Sequence, residues 1–489
     1  MRSLLLLPAA LSLALISLSG CRHEAAGPVI VSVVGGPARI ADPDRDPPDA
    51  PSAYALESAA QGLVRFDATG DVEPGLAQSW IVSDDGLRYT FRLARMDWPG
   101  GGGRITAAQV VARLKAAIAE SSRNPLKSTL GAIDEIDVMT DEVLEIALKA
   151  PRPNFLQLLA QPELAILRGN QGTGPYRLLR AEGGALLLAP PPPDEDDAAA
   201  EPGPQLLIRG EPAAAAAARF DLGLADLVTG GTLGDLPIAQ ATAQGGRTLV
   251  LDPAAGLFGL AFAGGDGPLA KPEARGALSA AIDRDAIAAA FAAAIPGARL
   301  QGRDTLLPSG IEGLSAPAAP AWDATPLPAR RAAAAHTLAG LGGTGRLRIG
   351  VSLPDGPGYR LLFALLRRDW AAVGVETVRA APGQPADLRL IDEVAPSTNA
   401  SWYLRHFTCD SSRICDPAID GLLEAARTAP TQDARRALLV QADASLAALT
   451  PFIPLAAPVR WSLVSQRLSG FRPNPFARHP AGELLRGTS

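Results

Sequence analysis

Val72-Glu73-Pro74-Gly75-Leu76-Ala77-Gln78-Ser79-Trp80 leads through Ser83-Asp84-Asp85-Gly86 into Leu87-Arg88-Tyr89-Thr90-Phe91-Arg92-Leu93, and no other segment constrains the fold as tightly. Asp-Gly ahead of alternating residues signals a hairpin or the start of a strand. Leu87, Tyr89, Phe91 and Leu93 alternate with Arg88, Thr90 and Arg92, so a strand here buries one apolar face and leaves the other polar. After the glycine run Gly100 to Gly103, Thr106-Ala107-Ala108-Gln109 has capping-box spacing, which predicts a helix from Ala107. Val110, Val111, Leu114, Ala117 and Ile118 fall on one face of that helix.

This ordered set resembles the signature segment of the extracytoplasmic solute-binding proteins of family 5, the peptide-, nickel- and oligosaccharide-type receptors of bacterial ABC importers. One departure lies inside it: the family's His-Asp-Gly after the aromatic is here Trp98-Pro99-Gly100. Further matches are Val64-Arg65-Phe66-Asp67, Gly172-Thr173-Gly174-Pro175-Tyr176, and the run Glu273 to Asp285, similar to the family's V-R-x-A-L-x-x-A-I-D-R. The resemblance covers nearly the whole mature chain. It implies a two-lobed α/β periplasmic-binding-protein fold of type II, in the large peptide-binding class. On that basis residues 28–255 plus 456–489 form the first lobe, with an extra subdomain at about 50–170, and 256–455 form the second.

Composition is that of a soluble globular protein. Apolar residues make 47% of the 489 and charged residues 20%, ordinary for globular protein. A formal charge of −6 without a long basic run leaves no electrostatic footprint for nucleic acid. Met1-Arg2, an apolar run from Leu4 to Leu18, and Leu18-Ser19-Gly20-Cys21 read as a secretory signal over 1–21, too short for an ordinary membrane span. The sequence before Cys21 looks like a lipobox, so Cys21 is expected to carry lipid and hold the chain to a membrane on the periplasmic side. Arg22 at the next position permits outer-membrane sorting, by analogy. Cys409 and Cys415 remain, an even number in an oxidising compartment, and form either a short-loop disulfide or two free thiols.

Along the chain, Val29 to Val34 is a β-branched run of the kind found in buried strands. Asp44 to Pro51 reads as a proline-rich loop, and helical spacing begins at Tyr54 and runs to Leu63. Ile133 to Val138 and Val143 to Leu148 form a hairpin whose carboxylates face solvent. Pro190 to Pro204 is a low-complexity surface loop. Asp283 is expected to cap a helix. Leu347 to Leu353, Tyr359 to Trp370, Val375 to Val378 and Asp387 to Ile391 read as strand, helix, strand and strand, a parallel βαβ unit. Ligands of open α/β sheets sit beyond the carboxyl ends of the strands, which places Pro354 to Gly358 and Asp392 to Asn399 in the cleft.

No Gly-x-Ser-x-Gly, Walker loop, His-Glu-x-x-His or Cys-x-x-Cys occurs. The group His406, Cys409, Asp410, Cys415 has metal-binding residue types, but its spacing fits no standard site, and neither metal nor cofactor is expected. A binding protein is the primary reading; a secreted lipoprotein hydrolase, or a degenerate receptor with a non-peptide ligand, is the alternative. Peptide-binding members of the family carry an aromatic and an Asp that meet the peptide's ammonium. In the corresponding run Asp387 to Asn399, Glu393 stands at the aromatic and Pro396 at the Asp. The resemblance therefore points to a short peptide or other small cationic solute. Asp392 or Glu393 is its counter-charge, Trp402 or Tyr403 its stacking surface, and Asn399 and Arg39, the latter beside the segment similar to the family's L-D-P, are further contacts. The implied partners are an ABC permease with its ATPase, for a monomeric receptor.

Overall fold

The β-branched run Val29–Val34 lies at the centre of a seven-stranded sheet in the computed structural model of the chain. Residues 27–485 are described, apart from 153, 193–202, 243–247, 265–266, 294, 296–299, 315, 342–345 and 382. The expected lipobox with Cys21 and most of the Pro190 to Pro204 segment fall outside them. Strand order is Leu249–Leu251, Arg460–Val464, Leu227–Thr232, Val29–Val34, Leu206–Glu211, Ala185–Ala189, Arg177–Glu182. The central strand runs parallel to both neighbours. Val29, Val31 and Val33 are at most 1% exposed, as a strand covered on both faces requires.

The segment quoted first builds a separate four-stranded antiparallel sheet, in the order Ala77–Val82, Arg88–Leu93, Val143–Leu148, Ile133–Thr140. Tyr89, Phe91 and Leu93 are buried in one apolar cluster with Val110, Val111 and Leu114 of the helix Ala107–Ile118. Gln109 Oε1 accepts the Thr106 N–H at 3.1 Å and also the Trp98 indole N–H at 3.0 Å. The departure at Trp98 thus locks the approach to this helix onto its own cap. Gly172 and Gly174 lie against the end of the helix Ala50–Ala59; a Cβ on Gly174 would meet the backbone of Ala59 and Ala60 at 2.5 Å. This close approach is the physical content of the Gly-Thr-Gly element.

That helix corrects the expectation of helical structure from Tyr54 to Leu63. It starts inside the supposed loop because Asp49 accepts the Ser52 N–H at 3.1 Å and Pro51 sits in the first turn, where a missing donor costs nothing. Leu63 instead precedes the strand Val64–Phe66.

A five-stranded sheet forms the second large unit, in the order Glu376–Arg379, Arg348–Ser352, Leu388–Val394, Gly256–Phe262, Phe452–Ala456. Arg348–Ser352 is parallel to both neighbours, with the helix Pro357–Ala371 as the crossover. Leu362, Leu366 and Trp370 of that helix are fully buried. Arg275 and Arg284, the arginines of the V-R-x-A-L-x-x-A-I-D-R match, are buried as cross-links. Arg275 donates to the carbonyls of Leu269, Ala270, Leu449 and Thr450, and Arg284 to those of Ser279 and Pro454. Asp283 accepts the Ala286 N–H at 2.9 Å, as an N-cap does. The chain passes between the two large sheets from Leu251 to Gly256 and from Ala456 to Arg460.

Candidate solute-binding groove

Period-two alternation along Leu388–Val394 sends neighbouring side chains to opposite faces of the sheet, and so separates the two acids expected at the ligand. Asp392 faces the seven-stranded sheet. Its Oδ1 accepts from Arg460 at 2.6 Å, its Oδ2 from the Tyr359 hydroxyl at 2.7 Å, and its backbone carbonyl from Arg460 at 2.9 Å. With 9% side-chain exposure, this carboxylate is engaged in a clamp between the two large sheets and offers no counter-charge to a solute. Burial, then the Asp392 charge, pushes the Tyr359 hydroxyl pKa well above its ordinary value, so it remains a donor.

The loops expected to line an open cleft are likewise packed. Asp392 to Val394 belongs to a strand rather than a loop. Gly358 N–H donates to the Gly234 carbonyl at 2.8 Å, which seats the Pro354 to Gly358 turn on the opposite unit. Gln161 donates to the Pro396 carbonyl at 2.6 Å, Asn154 to the Thr398 carbonyl at 2.8 Å, and Gln157 Oε1 accepts the Thr398 N–H at 2.9 Å. A closed seam therefore runs between residues 154–161 and 396–398. Tyr403, 1% exposed, is a core residue and not a stacking surface. Arg39 pairs with Asp46 at 3.2 Å and is not among the residues lining the main groove.

Open space lies on the other face of the same strand. A groove of about 990 Å³ is lined by Arg389, Ile391 and Glu393, by Trp402, Arg405 and His406 of the helix Ala400–Arg405 and its end, and by Ser128, Thr129 and Arg152 from the unit of the four-stranded sheet. Its volume is that of a site for a molecule of short-peptide size. Glu393 points into it, and His406 Nε2 lies 3.2 Å from Glu393 Oε2 while Nδ1 meets the Trp402 carbonyl at 2.8 Å. That hydrogen bond holds the Glu393 carboxyl below the usual carboxylate range. Trp402 packs edge-on against Tyr403 and His406, with centroids 4.9 and 4.6 Å away. Asn399 caps its helix by accepting the Ser401 N–H at 2.9 Å and also accepts from Arg435 at 3.0 Å. Cys409 and Cys415 are joined as a disulfide, with Cα atoms 5.1 Å apart, and the loop they close carries Ser411, Ser412 and Arg413 along the groove.

Of the six residues expected at the ligand, Glu393, Asn399 and Trp402 meet in the groove; Asp392, Tyr403 and Arg39 do not line it. The arginines that share it, at 152, 389, 405, 413 and 427, were not singled out in the sequence. The density of cations in Arg405-His406-Phe407-Thr408-Cys409-Asp410-Ser411-Ser412-Arg413 was the available signal for part of them. Their charge is opposite to what a cationic solute requires. Of the two acids expected as its counter-charge, Asp392 is engaged by Arg460 and Glu393 by His406.

The family model "Bacterial extracellular solute-binding proteins, family 5 Middle" matches residues 71–381. A dipeptide-binding protein of Pseudomonas aeruginosa is 24% identical over 85% of this chain and 87% of its own length. A glutathione-binding protein, GsiB, of Salmonella choleraesuis is 32% identical over a shorter stretch, 30% of this chain and 31% of that one. Among solved structures, the Escherichia coli murein tripeptide binding protein MppA superposes with a TM-score of 0.77 at 20% identity, over 92% of this chain and 96% of that one. The shared fold and the family match over more than half of the sequence lead to one conclusion: the chain belongs to the bacterial extracellular solute-binding proteins of family 5.

Proposed function

We propose that this chain is the receptor of an ABC importer, which encloses a short peptide or peptide-like solute and presents it, chemically unchanged, to a membrane permease and its ATPase. The observation that carries the reading is the groove of about 990 Å³ between separately folded units of a family-5 chain, where polar groups converge beside Trp402. Two chain crossings between the large sheets are a hinge of the kind that closes on ligands. The names of the relatives, dipeptide-, glutathione- and murein tripeptide-binding, support a peptide-class ligand. The receptor acts as a single copy, in the periplasm, tethered by lipid on Cys21.

A thermal-shift screen with di-, tri- and tetrapeptides tests the binding reading: a cognate solute raises the melting temperature with concentration and is recovered intact. Recovery of cleaved peptide would establish the hydrolase alternative instead. Cys21→Ala tests the tether. The variant is expected in the soluble periplasmic fraction, and unchanged partitioning into detergent would contradict lipid attachment.

A further inference from the structure

Five arginines line the groove, at 152, 389, 405, 413 and 427, against two carboxylates, Glu393 and Asp410. Glu393 is already bonded to His406. Among the described residues only Arg427 of the five makes a direct ion pair, with Glu424, which is not part of the lining. Arg152 is 7% exposed, and its guanidinium donates only to backbone carbonyls, that of Arg427 at 3.0 Å and that of Pro151 at 3.4 Å. Arg405 reaches only the Leu423 carbonyl, at 3.5 Å. Neutral acceptors satisfy some N–H groups of each guanidinium, and the nearest carboxylates, Glu312 for Arg152 and Glu424 for Arg405, act on them without a direct ion pair, so donors remain for a further oxygen. Burial, and next the nearby Arg435 charge, lower the Arg152 pKa to about 9; burial lowers that of Arg405 as well. The hydroxyls of Ser128 and Thr129 lie along the same walls and can donate to further oxygens of an anion. Arg389 and Arg413 are exposed at the mouth.

We infer that this groove, rather than the closed seam at 396–398, seats the ligand, and that the ligand is a small polycarboxylate, an acidic short peptide. One carboxylate meets Arg152 and Arg405 at the buried end, and others meet Arg389 and Arg413 at the mouth. Charge-assisted guanidinium to carboxylate bonds are about twice as strong as neutral ones, and here each would add a direct carboxylate contact to an arginine that makes no ion pair among the described residues. The inference deepens the receptor reading above and rests on it.

Calorimetry of the full mature chain with triglutamate, triglutamine and trilysine tests it. Triglutamate is expected to bind at one site and trilysine not at all. Arg405→Gln should weaken triglutamate by more than roughly tenfold, as loss of one partner of a desolvated charge pair does. The exposed pair Arg389→Gln with Arg413→Gln should weaken it severalfold and flatten its dependence on salt, with the fold unaffected. The inference is overturned if triglutamate fails to bind at millimolar concentration, if trilysine binds as well, or if the arginine variants bind like wild type. A co-purified solute that binds regardless of these arginines would defeat the acidic assignment and leave the receptor reading standing. Hydrolysis of the added peptides would defeat both.

Discussion

Asp392 and Glu393 are adjacent in sequence and have opposite fates, since a strand reverses side-chain direction at each residue. Asp392→Asn leaves Arg460 with an uncompensated charge at a site where the two side chains are 9% and 14% exposed. Stability should fall by about 3 kcal/mol in chemical denaturation, the cost of breaking a buried pair. Wild-type stability with weakened peptide binding would instead show that Asp392 faces the ligand. A second buried carboxyl, Asp443, is pushed up to about 6 by burial, partly offset by the Ala318 N–H at 2.7 Å. Its folded pKa lies above its unfolded value near 4, so the native state binds the proton more tightly than the unfolded chain. The group therefore lowers stability above about pH 6, and the loss disappears as pH falls towards about 4. Asp443→Asn should raise stability at about pH 7.5 by roughly 1 to 3 kcal/mol and give little gain at about pH 4.5. Equal gains at both values in urea melts would contradict this assignment.

Elements were legible wherever a local rule sufficed. The Asp-Gly turn into Leu87 to Leu93, the Gln109 cap and the βαβ unit around Pro357–Ala371 all appear as the periodicity predicts. The helix Ala50–Ala59 was placed too late because the proline-rich run before it hides an N-cap, Asp49, in what reads as loop composition. Half of the candidate site was illegible for a different reason. Which face of Leu388–Val394 looks into open space depends on where Arg460, distant in sequence, comes to lie, and no local pattern encodes that. Arg152, flanked by prolines, acquires meaning only when the unit of the four-stranded sheet meets the helix Pro417–Arg427. The disulfide stiffens one wall of the groove. Replacing Cys409 and Cys415 together by Ser removes a constraint of six residues' separation, and should cost about 2 kcal/mol of stability by the loop-entropy relation. Melting the variant beside oxidised wild type checks this; an unchanged midpoint would show that the loop is ordered without its bond.

At the scale of the whole molecule, the large sheets are joined by two short crossings and clamped by contacts that meet backbone as well as side chains: Asp392 with Arg460, and Gly358 N–H with the Gly234 carbonyl. Such a seam can open and reclose without unfolding either core, as a receptor must do to load and release its solute. On the proposed reading the molecule captures a solute and leaves it unaltered. Native mass spectrometry of the protein, purified without denaturation, tests this most directly, with the released solute identified and then re-incubated with the stripped protein. A single small solute at one per chain is expected, recovered with its mass unchanged after prolonged incubation. A solute converted to product would contradict it.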